Sequence, residues 1–133
     1  AEKFDYQIEI ENNVELSHQI PKMIIQSFVE NAFNHGIKPK EGKGFLRISL
    51  SNYSSGLKAE VTDDGVGRDI AKKQNETRNT GKGINNINEY INIFNNYNKA
   101  KIVYRIIDLY DNRKPVGTKV IIYIPYSYDY RIY

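Results

Sequence analysis

Phe45-Leu46-Arg47-Ile48-Ser49-Leu50, then Asn52-Tyr53-Ser54-Ser55-Gly56, then Leu57-Lys58-Ala59-Glu60-Val61-Thr62-Asp63-Asp64-Gly65-Val66-Gly67: the fold is decided here. Apolar residues alternate with polar ones on both sides of Asn52–Gly56, the period of a half-buried strand, and Ser-Ser-Gly is turn chemistry. The stretch therefore predicts an antiparallel hairpin. Its second strand runs out on an acidic pair and on two glycines flanking Val66.

Working outward toward the N-terminus, Lys38 to Gly44 is a polar loop containing Pro and Gly, and before it Ile24, Ile25, Phe28, Val29 and Ala32 recur at helical spacing. They predict an amphipathic helix that Pro21 opens and Gly36 stops; a plain C-cap reading of its end would put Gly36 at C′. Further back, Phe4-Asp5-Tyr6-Gln7-Ile8-Glu9-Ile10 alternates as a half-buried strand until Asn12-Asn13 breaks it. Toward the C-terminus, Asp64 to Lys82 holds few apolar residues and is expected to be a mobile surface segment. Ile84, Ile87, Ile91 and Phe94, with Tyr90, mark a second amphipathic helix that ends among Asn95 and Asn96. Lys101–Tyr110 and Val116–Ile124 read as two more strands joined by a turn through Asp111–Pro115, and Tyr126–Tyr133 is a tyrosine-rich tail without a period. The order β, α, β-β, α, β-β implies an α+β fold: a two-layer sandwich with a mixed, mostly antiparallel sheet and its helices on one face.

With 133 residues, 40% of them hydrophobic, the chain suits a single domain with one core, and no internal repeat divides it. No run approaches the roughly 20 apolar residues that cross a bilayer, and no signal peptide is visible. The chain opens on Ala1-Glu2-Lys3 rather than Met, as a piece of a larger protein would. Cysteine is absent, which excludes disulfides and thiolate metal sites. The net charge of +3 comes from scattered Lys and Arg, not from the basic stripe with interleaved aromatics that nucleic acid requires.

Four polar features stand out against this frame. Glu30, Asn31, Asn34 and His35 cluster at the end of the first helix, where a solvated face and a helix cap are the plain alternative. Asp63-Asp64-Gly65-Val66-Gly67 follows a strand; an ordinary Asp-Gly turn would explain the acids, but two glycines so close imply backbone that must approach something. A carboxylate there can accept the exocyclic amino group of adenine, a donor that guanine lacks at that position. Thr80-Gly81-Lys82-Gly83 leads into the second helix, whose N-terminal N–H groups suit phosphate, although a flexible hinge reads the same and the Walker spacing is missing. Gly117-Thr118 opens the last strand, where a turn glycine is the simpler reading. Together these are the parts of a nucleotide site.

In that order, the Asn box, Asp-x-Gly-x-Gly, a glycine-rich lid end and a Gly-Thr strand resemble the Bergerat-fold ATPases, also called GHKL. Ile20 to Gly36, with Pro21, Gln26, Val29-Glu30-Asn31-Ala32 and His35-Gly36, resembles specifically the ATP-binding catalytic domain of LytS-type sensor histidine kinases. The likeness runs from about Phe4 to Pro125 and implies that 1–133 is one histidine-kinase-like ATPase domain of a larger sensor kinase. It implies ATP and Mg²⁺ as cofactors, with Asn31 holding the Mg²⁺ and Asp63 accepting the adenine amino proton with support from Thr118. Gly65 and Gly67 would begin a lid that Thr80, Gly81, Lys82 and Gly83 close over the phosphates. Glu30 would stand near the metal, and Asn34 and His35 near the phosphates, so that Asn31, Glu30 and His35 are the catalytic candidates.

The sequence departs from the family pattern at Ser27 (usually Pro), at Asn34 (often Lys or Arg) and at Asp64 (commonly Asn). Asp64 brings a like charge beside Asp63, which raises a carboxylate pKa unless the new charge turns to solvent. Neither His18 nor His35 lies in an acceptor motif. The implied phosphoacceptor histidine thus belongs to a dimerisation domain outside this sequence, with a response regulator downstream, a homodimer as the full-length form, and any membrane contact made by absent segments. The domain itself would be cytoplasmic, in a bacterial membrane protein. A non-catalytic module and an ATP-hydrolysing switch are the alternatives; the switch would use a Glu four residues before Asn31, where Ser27 stands.

Overall fold

Alternation in the central hairpin fixes which side of the sheet is dry. The computed structural model describes residues 4–14, 22–68 and 83–128. Its elements are β1 (Phe4–Ile10), α1 (Lys22–Ala32), a π-helical turn (Phe33–Ile37), β2 (Gly44–Tyr53), β3 (Gly56–Asp63), α2 (Gly83–Asn95), β4 (Val103–Asp111) and β5 (Lys114–Pro125). The strands form a single sheet in the order β1-β2-β3-β5-β4. β1 and β2 run parallel, with α1 in the crossover between them, and every other neighbouring pair is antiparallel.

Cross-strand register lines up Leu50, Ala59, Ile122 and Tyr104 in one row and Ile48, Val61, Val120 and Ile106 in the next. Onto this face α1 brings Ile24, Phe28 and Ala32, and α2 brings Ile87, Ile91 and Phe94, in one continuous core. The opposite face carries the polar half of the alternation, where Glu60 pairs with Lys58 and Lys119. The two-layer α+β arrangement expected from the sequence is thus the one observed. The tail joins it in part: Tyr128 is buried and its hydroxyl donates to Asn95 Oδ1 at 2.7 Å.

Three details differ from the sequence expectations. β1 is not half-buried: Tyr6, Ile8 and Ile10 are 66%, 55% and 45% exposed, because β1 is the sheet's edge strand and neither described helix lies over it. Gly36 is not a left-handed C′ residue. The chain stays right-handed through Lys38, whose N–H donates to Phe33 O at 2.8 Å, so the helix widens into a π turn before it ends. β5 begins at Lys114 rather than Val116, because Asn112 and Arg113 (φ 49° and 70°) form a tight two-residue turn, the geometry that suits a twisted hairpin. Pro115 is tolerated within β5 because it pairs only with β4, beyond the end of β3. The opening of α1 at Pro21 and most of the expected mobile segment lie outside the described residues.

Candidate functional site

The buried side of β3 reads Leu57, Ala59, Val61, Asp63, so a carboxylate occupies a position that the alternation reserves for core. Asp63 is 4% exposed. Its Oδ1 accepts the Gly65 N–H at 2.9 Å, and the Thr118 backbone adds a second hydrogen bond. The carboxyl is pushed up to about 6, chiefly by burial and in smaller part by the neighbouring Asp64, against the backbone donors and Lys40, which hold it down.

Glycines let the chain close around this carboxylate. A Cβ on Gly36 would lie 2.5 Å from Asp63 Oδ1, and one on Gly65 would lie 2.2 Å from the Gly36 carbonyl carbon. That contact is why α1 ends in a glycine-bearing π turn: Gly36 brings backbone against Asp63, and its carbonyl accepts the Val66 N–H at 3.1 Å. Gly117 (φ 142°) presses in from β5, where a Cβ would meet the Asp63 carbonyl oxygen at 1.9 Å. The expectation that paired glycines mark close backbone approach is met by protein backbone itself.

Asp64 turns away from this cluster. One of its oxygens accepts the Phe45 N–H at 2.7 Å and the other pairs with Lys40 Nζ at 3.2 Å.

Asp63 lines a narrow chamber of about 40 Å³ with Asn31, His35, Arg68, Ile106 and Thr118. Asn31 and His35 also line a wider cleft of about 330 Å³ between α1 and α2, together with Glu30, Asn34, Asn86 and Tyr90. The spacing Glu30, Asn31, Asn34, His35 puts these side chains on one side of the α1 end, toward the first turns of α2. Glu30 accepts a hydrogen bond from Gln26 Nε2 at 3.0 Å. Gly67 (φ 86°) lines the chamber, and Gly65 lies against Gly36 behind it. Gly83 is the first residue of α2, whereas Thr80, Gly81 and Lys82 lie outside the described residues. Asn31, Asn34, His35, Asp63, Gly67 and Thr118 are thus brought to two adjoining hollows from three separate parts of the chain.

The sequence reading missed Arg68 and Asn86. Arg68 directly follows the second glycine and could have been flagged by that position. Asn86 could not, since an Asn in a helix rich in Asn carries no signal. Among the described residues no three His, Asp or Glu side chains gather into a metal site. No described helix is long and apolar enough to cross a membrane.

A carboxylate has about four acceptor positions, and backbone donors take two of those on Asp63, leaving acceptor capacity beside the hollow it lines. The Asn31 carboxamide is a hard oxygen ligand of the kind Mg²⁺ accepts.

No family model matches the chain. Over 106 residues, 80% of the chain, it is 33% identical to the sensor histidine kinase YpdA of Escherichia coli K12. Over 83 residues, 56% of the chain, it is 30% identical to the sensor protein LytS of Oceanobacillus iheyensis. These matches span only 18% and 14% of the two relatives. Among solved structures, the catalytic domain of histidine kinase ThkA superposes with a TM-score of 0.54 at 16% identity, covering 92% of this chain and 78% of that one. The mycobacterial sensor histidine kinase MprB gives 0.59 at 13% identity, covering 92% and 84%.

Proposed function

We propose that this chain, which belongs to the sensor histidine kinases and is folded as their catalytic domains are, binds ATP with Mg²⁺ and serves as the phosphoryl-donating domain of such a kinase. The observation that carries this reading is Asp63: a carboxylate buried at a core position, beside a hollow, at a cost in stability that packing alone does not require.

In this reading the Asp63 carboxylate accepts the adenine amino proton and so rejects guanine, with the Thr118 hydroxyl in support. Asn31 would hold the Mg²⁺ by its carboxamide oxygen. The Mg²⁺ would supply positive charge against the nucleotide's phosphates. His35 and Asn34 would face the phosphates and Glu30 would stand near the metal, while Thr80, Gly81 and Lys82, the other residues assigned to the nucleotide, lie outside the described residues. Bound ATP supplies the transferable γ-phosphoryl group. The domain's part is to position it and neutralise charge, with Asn31, Glu30 and His35 as the catalytic candidates. The acceptor histidine sits on a dimerisation domain of the parent protein, which acts as a homodimer and passes the phosphoryl group to a response regulator. The parent is a bacterial membrane protein with this domain on the cytoplasmic side.

Titration of the domain with ATP and GTP, with and without Mg²⁺, tests the reading. ATP binding that is strengthened by Mg²⁺, exceeds GTP binding and is lost in Asp63→Asn supports it. Failure of the folded, unmutated domain to bind millimolar ATP sinks it.

A further inference from the structure

Register extends the polar row beyond the hairpin. Asp63 of β3 lies beside Thr118 of β5, and Thr118 lies beside Asp108 of β4. A carboxylate, a hydroxyl and a second carboxylate therefore cross three neighbouring strands on the helix-covered face. The second carboxylate is engaged from the segment that follows β3. Arg68 Nε donates to Asp108 Oδ1 and Arg68 Nη2 to Asp108 Oδ2, both at 2.7 Å, the two-pronged geometry that fixes a guanidinium in orientation as well as in place. These hydrogen bonds hold the Asp108 carboxyl below its ordinary range. Arg68 in turn lines the chamber that contains Asp63 and Thr118.

Resting on the nucleotide reading above, we propose that Arg68 is a positioning residue of the base pocket: clamped by Asp108, it forms the pocket's fixed far wall. Two physical arguments lead there. The pair ties the residue just after Gly67, which lines the chamber, to β4 at the edge of the sheet. It also neutralises Asp108, which would otherwise stand as a second uncompensated carboxylate in the row with Asp63. Arg68 acts on the ligand through the wall it forms, and Asp108 acts through Arg68.

The two roles of Asp108, clamp and local negative charge, make opposite predictions for Asp108→Asn. Binding of ATP and of adenosine is measured by competition against a fluorescent ATP analogue. The variants are Arg68→Gln, Arg68→Lys, Asp108→Asn and the double variant R68Q/D108N, with Asp63→Asn as reference. A clamp predicts that Asp108→Asn weakens both ligands about fivefold although it removes a negative charge. It also predicts that Arg68→Lys loses part of the affinity, because Lys keeps the charge and not the fork, and that the double variant is no worse than the poorer single one. Tighter ATP binding by Asp108→Asn overturns the clamp in favour of charge alone. Loss confined to ATP, with adenosine unchanged, overturns it in favour of a direct phosphate contact by Arg68. Unchanged affinities with lowered melting temperatures reduce the pair to a structural ion pair. Absence of ATP binding in the unmutated domain removes the nucleotide reading itself, and the clamp with it.

Discussion

Replacing Asp63 by Asn should stabilise the domain at neutral pH and, on the proposed function, abolish ATP binding. The folded carboxyl is raised from 3.8 to about 6, chiefly by burial. Below pH 3.8 it is protonated in both the folded and the unfolded chain, and its ionisation costs nothing. As the pH rises from there toward 6, the folded protein retains a proton that the unfolded chain has released, so stability falls, and above 6 the full penalty applies. Two pH units at 1.36 kcal/mol per unit come to about 3 kcal/mol. Asn does not titrate, so the stability of Asp63→Asn relative to the unmodified domain should grow by about 3 kcal/mol from pH 3.5 to 7.5. In melting temperature this is roughly 10 °C for a domain of this size. Urea unfolding of both proteins at half-unit pH steps measures it. Any fixed offset from how the Asn amide packs cancels in the pH dependence. A difference that stays flat across that range, or that shrinks as pH rises, refutes the account of a desolvated carboxylate.

Three further outcomes follow from the same geometry. Lys40→Gln removes a cation that holds the Asp63 carboxyl down, so the midpoint of that pH dependence should move upward; a downward move contradicts the assigned electrostatics. Gly36→Ala forces a methyl to within 2.5 Å of Asp63 Oδ1 and should cost about 1–3 kcal/mol by urea unfolding, with weakened ATP binding. Arg113→Gly relieves a left-handed residue in the β4–β5 turn and should stabilise by about 0.5 kcal/mol with ATP affinity unchanged; a loss of stability would mean that the Arg113 side chain is needed there.

Periodicity made the layers legible. Ile24, Phe28, Ala32, Ile87, Ile91 and Phe94 were found by spacing alone and all lie in the core. What spacing cannot reveal is position within the sheet. The alternation in β1 is as regular as that in β3, yet an edge strand beyond both described helices leaves Tyr6 and Ile8 in water. The same limit hid the end of α1. A glycine after a helix ordinarily marks a left-handed stop, and only the approach of Asp63 from a strand far along the chain makes Gly36 part of a π turn. At the site, Asn31 and Asp63 stood out because a helix end and a strand end carried polar residues in a suggestive order. Arg68 did not, because its meaning depends on Asp108, 40 residues away, and on a register that no local pattern encodes.

The Val66 N–H that donates to the Gly36 carbonyl stitches the two polar boxes together through main chain rather than side chains. That single amide is therefore an internal gauge. Its hydrogen exchange reports how often the end of α1 parts from the strand end that bears Asp63, without any label or ligand. If the site opens as a unit, Val66 and Gly65 should show one common protection factor, and a nucleotide held by both boxes should raise the two together.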